Sequence, residues 1–420
     1  MLVFGMVSLG GVTRLTRSGL SIVEWRPEGE VYPTTEAGWE AAFEKYKAFP
    51  EYQRVNSRMT LEEFKPIYFM EWAHRMWGRG LGVVFGVPLL GLVAAGKIPA
   101  GLGPRLGLLL AMGGAQGAIG WWMVKSGLEK ERFEKGGVFE YQRPRVSPYR
   151  LATHLTGAWA LYSVLMWTAM DLLRAPAAAG PPAAAGTGGA AAAAARLSAL
   201  RALATPTAAA LSVLALTTIS GAFVAGNDAG HAYNDWPLFA GRLVPEDIWV
   251  ERLGLRNLFE NTATVQFDHR MLAYSTLGAV GLVHGALAAA RRRLAVAAAA
   301  APAAAAAASL PHSHYALCPS LKRAALILGG AVAAQACLGV TTLMFYVPIE
   351  LGAAHQAGAL GAWTSALYFA HCLKTATAAA VQEVGAHRAA ALGAAGRTSA
   401  GAAAALSLFV LKGGGEDALE

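Results

Sequence analysis

The sequence predicts an all-α membrane protein with eight transmembrane helices, arranged as two tandem four-helix bundles related by an internal repeat. Hydrophobic residues make up 55% of the chain and charged ones 15%, with a positive mean hydropathy. That balance marks a polytopic membrane protein and not a soluble globule. Apolar runs long enough to span lie at about 71–94, 104–124, 150–173, 203–226, 265–290, 323–346 and 352–374, with a shorter run at 1–13; a spanning helix needs ~20 residues. The third observation is the repeat. Aligning Gly10-Gly11-Val12 on Gly221-Ala222-Phe223 brings Gly19 onto Gly230 and Trp25 onto Trp236 without a gap. Further along, His74-Arg75-Met76 matches His269-Arg270-Met271, Gln116 with Gly120 matches Gln335 with Gly339, and His154-x-x-Gly157-Ala158 matches His355-x-x-Gly358-Ala359. Such internal symmetry is how many membrane folds are built.

In chain order, the first run is short. Only about a dozen apolar residues precede Thr13-Arg14, so the N-terminus is expected to be incomplete, with the outer half of helix 1 and any targeting segment missing. In the long loop 14–70, Trp39, Phe43, Tyr46 and Lys47 fall on a helical period, and Thr60-Leu61-Glu62-Glu63 has the capping-box spacing that starts a short helix. This loop is expected to pack as a lid. Long polar segments follow helices 3 and 5 as well, at 125–149 and 227–264, whereas helix 7 is followed by the short Val347-Pro348-Ile349-Glu350-Leu351. The opposite links carry Lys97 and Arg105, Arg174 with Arg196 and Arg201, and Arg291-Arg292-Arg293 with Lys322-Arg323. By the positive-inside tendency that side faces matrix or cytoplasm.

Residues 175–195 and 294–309 are nearly pure Ala with Pro and Gly, lack a periodic face of large apolar residues, and read as low-complexity inserts; the tail from about 376 is similar and is expected to be poorly ordered. The domains are therefore a first four-helix unit at 1–174, a linker at 175–202, a second unit at 203–375 carrying the 294–309 insert, and a tail at 376–420. The net charge of +8 does not point to nucleic acid, because Lys and Arg sit mostly in loops and no basic patch is interleaved with aromatics. Cys318, Cys337 and Cys372 are far apart and form no CxxC pair, which indicates neither a disulfide framework nor a cysteine metal site. They read as small apolar filler.

Four apolar runs open on histidine: His74, His154, His269 and His355. Helices 2, 4, 6 and 8 all run inward from the long-loop side, so the four imidazoles lie at similar depth near the outer surface. Within each unit the two histidines come from different helices and can face each other across a bundle. Two neutral imidazoles on opposite sides suit heme iron, whereas zinc would want further His, Cys or carboxylate ligands. One histidine at a helix end is ordinarily an interfacial side chain; four at equivalent repeat positions are not. His231, His284, His312, His314, His371 and His387 lack the repeat and read as ordinary. Arg75, Arg79 and Arg270 are candidates for binding heme propionates bidentately, with headgroup anchoring as the alternative. Trp72, Trp77, Trp121 and Trp122 read as interfacial belt or core.

The two units differ at one position. Glu71 lies three residues before His74, on the same helix face, and its counterpart Gln266 cannot ionise. A carboxylate beside one heme site alone implies that the first site does proton chemistry while the second carries electrons. Pairing with Arg75 or Arg79 is the structural alternative for Glu71.

These residues, together with Gly10-Gly11-Val12-Thr13-Arg14-Leu15-Thr16, Ser18-Gly19-Leu20-Ser21, Met123-Val124-Lys125-Ser126-Gly127-Leu128, Pro144-Arg145-Val146-Ser147 and Ser220-Gly221-Ala222-Phe223-Val224-Ala225-Gly226, resemble the heme A synthase family in its mitochondrial and alphaproteobacterial form, over about 1–374. The resemblance implies an eight-helix enzyme of the mitochondrial inner membrane, or of a bacterial plasma membrane. It would oxidise the C8 methyl of heme O to the formyl group of heme A by two successive hydroxylations, the gem-diol losing water, to supply cytochrome c oxidase. It assigns a heme b cofactor to His269 and His355, the substrate heme to His74 and His154, and the catalytic carboxylate to Glu71. It implies electrons from ferredoxin and its reductase, heme O from heme O synthase, and a homo-oligomer in the lipid bilayer. The outer loops contain no cysteine, so the branch with cysteine pairs there is not matched. The rival readings are a bis-histidine di-heme electron carrier, which predicts no first-unit carboxylate and no long lid loop, and a heme transporter or chaperone, which would bind without turnover.

Overall fold

The computed structural model describes residues 1–134, 142–173, 187–300 and 317–412, with side chains at 187–188 and 393–412 outside the description. Apart from one isolated β-bridge between Phe239 and Arg242, the regular structure among the described residues is helical. In chain order the helices are α1 (Leu2–Leu15), α2 (Glu36–Lys47), α3 (Pro50–Arg54), α4 (Leu61–Ala94), α5 (Gly103–Leu128), α6 (Pro148–Leu173), α7 (Thr187–Arg201), α8 (Ala204–Gly226), α9 (Asn257–Glu260), α10 (Thr262–Ala299), α11 (Pro319–Met344) and α12 (Ile349–Lys412).

Among the described residues, five stretches are long and apolar enough to cross a membrane: Leu61–Ala94, Gly103–Leu128, Gly189–Gly226, Thr262–Ala299 and Pro319–Met344. Helices α1, α6 and α12 cover the remaining expected runs. The inner half of α4 exposes Val83, Val84, Val87, Leu90 and Val93, an apolar face of a kind that water does not tolerate and a bilayer does.

The loop before α4 folds as expected in part. Thr35 caps α2 by accepting from the Gly38 amide, and Trp39, Phe43 and Tyr46 are buried on one face of that helix. With Ile22, Phe64 and Tyr68 they form a core rich in aromatics, to which Tyr32 and Tyr52 pack. The capping box is present: the Thr60 hydroxyl accepts from the Glu63 amide, and Glu63 accepts from the Thr60 amide. It does not start a separate short helix, however. Helix α4 runs unbroken from Leu61 through the span, because Phe64 and Tyr68 pack under the loop and carry the helix past Pro66.

The Ala-rich segments also need correction. Residues 187–201 form helix α7, residues 294–299 continue α10, and the tail beyond 376 is helical as far as Lys412. Alanine is the strongest helix former, and where Gly and Pro thin out the run helps itself. Ala192, Ala193, Ala199 and Leu200 are buried, and Arg196 pairs with Glu383. The rest of these expectations, at 175–186, 301–309 and 413–420, falls outside the described residues.

Packing divides the chain into two compact units. The first comprises Met1–Leu172, Ala209–Val280 and Ile327–Leu367, the second Leu173–Ala208, Gly281–Leu326 and Tyr368–Glu420. All four repeated histidines lie in the first. Within it, α1, α6 and α12 meet at Val7, Trp159, Tyr162 and Leu360, tied by hydrogen bonds between the Tyr162 and Thr364 hydroxyls at 2.7 Å and from Trp363 Nε1 to Ser163 Oγ at 2.8 Å. Helices α6, α8 and α10 meet at Ala152, Ala222, Phe223 and Val265.

Candidate functional site

Each repeated histidine is seated against a glycine on the preceding apolar run of the chain. A Cβ placed on Gly10, Gly120, Gly221 or Gly339 would fall 2.9, 2.9, 3.1 or 2.8 Å from Cε1 of His74, His154, His269 or His355 respectively. Any side chain there would displace the imidazole. This is the physical content of the aligned glycines in the repeat, and their spacing in the sequence was the signal for it.

The Nδ1 atoms show how each ring is held. The carboxamide of Gln116 reaches His154 Nδ1 at 3.1 Å and the His154 carbonyl at 2.7 Å. Gln335 repeats this on His355 at 3.0 and 2.8 Å. Room for each glutamine comes from the glycine of the His-x-x-Gly motif: Gln116 Oε1 lies 2.5 Å from where a Gly157 Cβ would stand, and Gln335 packs on Gly358 in the same way. His269 Nδ1 is bonded to Ser220 Oγ at 2.8 Å. His74 Nδ1 is buried and has no partner.

The His269 and His355 rings meet edge to face, with centroids 6.4 Å apart and planes at 85°. A metal between two imidazole nitrogens, each ~2.0–2.1 Å from it on rings of roughly 1.1 Å radius, needs about 6.3 Å between centroids. The spacing therefore fits an iron with a histidine on each side. His154 lies within electrostatic reach of His74. Among the described residues no three His, Cys, Asp or Glu side chains gather as a metal site. The His269–His355 couple thus offers two imidazoles, the donor number of a bis-histidine heme, whose macrocycle brings the other ligands.

Glu71 is buried beside the first couple. Its Oε1 accepts from Arg75 Nε at 2.6 Å, and its Oε2 faces Gly19, where a Cβ would stand 3.7 Å away. Arg75 also donates to the Ile22 and Glu24 carbonyls at 2.7 and 2.6 Å and to Glu30 Oε1 at 3.2 Å. In the second half, Arg270 donates to Gln266 Oε1 at 2.9 Å, to the Tyr233 carbonyl and to the Leu238 carbonyl at 2.9 Å. Both arginines therefore pin an outer loop by its backbone, and Arg79 does the same at Arg26 and Pro27. Arg75 and Arg79 also donate to Glu71, to Glu30 and to Met76 Sδ, and Arg270 Nε is buried without a partner.

Three participants escaped the sequence reading. Glu30, whose side chain is 9% exposed, joins the Arg75 and Arg79 guanidiniums, and nothing in the sequence singles it out. Ser220 was legible only as the residue before an aligned glycine. Glu51, on α3, is a buried carboxyl bonded by the Tyr46 hydroxyl at 3.1 Å; burial pushes it up to about 7.

The family model of the COX15-CtaA cytochrome oxidase assembly proteins matches residues 1–367. The chain belongs to that family. It is 44% identical over 372 residues to the heme A synthase COX15 of Arabidopsis thaliana, covering 89% of this chain and 72% of the relative. It is 42% identical over 373 residues to the heme A synthase of Parvibaculum lavamentivorans, covering 89% and 91%. A heme A synthase–mitochondrial ferredoxin fusion protein of Schizosaccharomyces pombe is 38% identical over 386 residues, covering 89% and 58%. No solved structure matches the chain.

Proposed function

We propose that this chain is a heme A synthase, a multi-pass enzyme of the mitochondrial inner membrane that converts the C8 methyl of heme O to the formyl group of heme A by two successive hydroxylations, the gem-diol then losing water. Eight spans in two tandem four-helix units, 1–174 and 203–375, form its scaffold. The observation that carries the reading is the combination of repeated, glycine-seated imidazoles with a carboxylate–guanidinium pair, Glu71–Arg75, at one couple and an amide–guanidinium pair, Gln266–Arg270, at the other. The family and the named relatives point the same way.

His74 and His154 hold the substrate heme in this scheme, and His269 and His355 hold heme b. When bound, heme b supplies one-electron chemistry tuned by its axial ligands. Glu71 receives the proton from the reacting side at Oε2, while Arg75 fixes Oε1 and keeps the acid oriented. Gln266 cannot take a proton, which restricts acid–base work to the first couple. The aromatic core of Trp39, Phe43, Tyr46, Phe64 and Tyr68 holds the loop over α4 and excludes water. Arg270 Nε remains to meet a propionate; Arg75 and Arg79 act as loop anchors.

Ferredoxin with its reductase is the electron source in this proposal, supported by the fission-yeast relative in which a mitochondrial ferredoxin is fused to the synthase. Heme O synthase supplies the substrate, and the protein acts as a homo-oligomer. To test the reading, purified protein is given heme O, reductant and oxygen, and extracted hemes are analysed by mass spectrometry. Hydroxylated heme O followed by formyl heme is the expected product series. A di-heme electron carrier would return heme O unchanged.

A further inference from the structure

The two halves hold their helix-opening histidines differently. Ser220 Oγ lies 2.8 Å from His269 Nδ1 and 2.8 Å from the Thr217 carbonyl. A serine has one proton to give, and the carbonyl can only accept it, so Oγ receives Nδ1–H of His269, which the Thr217 carbonyl also approaches. That bond fixes the tautomer with the lone pair on Nε2. The repeat puts Leu9 at the position of Ser220, immediately before Gly10. Leucine offers no acceptor, and His74 Nδ1 is correspondingly buried and unpartnered. The other member of each couple is treated alike, by Gln116 on His154 and by Gln335 on His355.

We infer that the Ser220/Leu9 difference sets which heme stays and which is exchanged: Ser220 is a positioning residue that locks His269 as a permanent ligand, and Leu9 leaves His74 as the ligand that yields when substrate enters and product leaves. An acceptor on the second ring nitrogen orients a ligating imidazole and raises its basicity, and its loss typically costs 10–100-fold in metal affinity. A cofactor must survive many turnovers, while a substrate must dissociate after each one. One couple needs that bond and the other works better without it. The inference rests on the proposed assignment of the couples to heme b and heme O.

The test uses the full chain purified in detergent and loaded with heme b and heme O, following heme transfer to excess apomyoglobin and the low-spin electron paramagnetic resonance signal of heme b. Ser220→Ala is expected to release heme b about 10–100-fold faster and to alter its signal. Ser220→Thr, which keeps the hydroxyl, is expected to behave as the parent. Leu9→Ser is expected to slow heme O release by a similar factor. Release from Ser220→Ala at the parental rate, or heme O release unaltered in Leu9→Ser, overturns the inference. His74→Ala and His269→Ala serve as references. If each keeps its heme, the assignment of the couples is wrong; if each loses its heme while Ser220→Ala and Leu9→Ser are silent, the couples stand and only this inference falls.

Discussion

The carboxylate of Glu71 is bound to the guanidinium of Arg75 at 2.6 Å, and at the equivalent positions of the second half the amide of Gln266 accepts from Arg270 at 2.9 Å. The i,i+4 arginine contact is shared, through Nε in the first pair and Nη2 in the second, and ionisability is not. Glu71→Gln therefore converts the first pair into a copy of the second. It is expected to leave fold and heme binding intact while heme A formation falls 10²–10⁴-fold, the usual contribution of a positioned acid or base. Product heme per bound substrate, measured by mass spectrometry, checks this; an unchanged yield removes Glu71 from the chemistry.

Arg75 lies between two buried carboxylates, Glu71 and Glu30. Removing it strands Glu71 and leaves Glu30 only its contact with Arg79 at 3.4 Å, and breaking a buried pair in this way costs roughly 3–5 kcal/mol. Arg75→Ala should lower the thermal unfolding midpoint and open the 14–70 loop to protease. Arg75→Ala/Glu71→Gln should recover part of that loss, because the stranded charge is gone.

The glycine seats give a sharper contrast. Gly120→Ala puts a methyl 2.9 Å from His154 Cε1, whereas nothing lies within 4 Å of a Cβ at Gly117, one turn away on the same helix. Gly120→Ala should displace the imidazole and lose heme from the first couple. Gly117→Ala should bind heme normally and gain up to about 1 kcal/mol from helix propensity. Heme content after gel filtration distinguishes them.

Glu51 gives the loop a pH dependence. Burial raises its carboxyl from 4.5 to about 7 and the Glu71 charge adds to this, against the opposing Tyr46 hydrogen bond and the Arg17 and Arg14 charges. The folded protein then holds this proton more tightly than the unfolded chain. The contribution, on the order of 3 kcal/mol, is complete below about pH 4.5 and is lost as pH rises through about 7. Limited proteolysis of the 14–70 loop should accelerate between pH 5 and 8, and Glu51→Gln, which can still accept from Tyr46, should abolish the trend.

Much of this architecture was legible because it follows from short-range periodicity. The spans, the buried face of α2 and the Thr60 cap rest on spacings within a turn or two. The histidine couples emerged from the repeat, which carries tertiary information in one dimension. What stayed hidden depends on contacts between distant segments. The Glu30 carboxyl meets Arg75 only because the loop folds back over α4, and Ser220 reaches His269 only because α8 packs on α10. The helicity of 187–201 is hidden for a different reason: the run has no periodic face of large apolar residues, although alanine needs few tertiary contacts to remain helical.

The most direct test of the whole account is the heme inventory of two variants. Hemes are extracted from His269→Ala and His74→Ala after expression with heme O supply, and identified by mass spectrometry. The account predicts that His269→Ala loses heme b, and that His74→Ala keeps heme b while losing heme O and heme A. Heme b retained in His269→Ala, or lost selectively from His74→Ala, would contradict it.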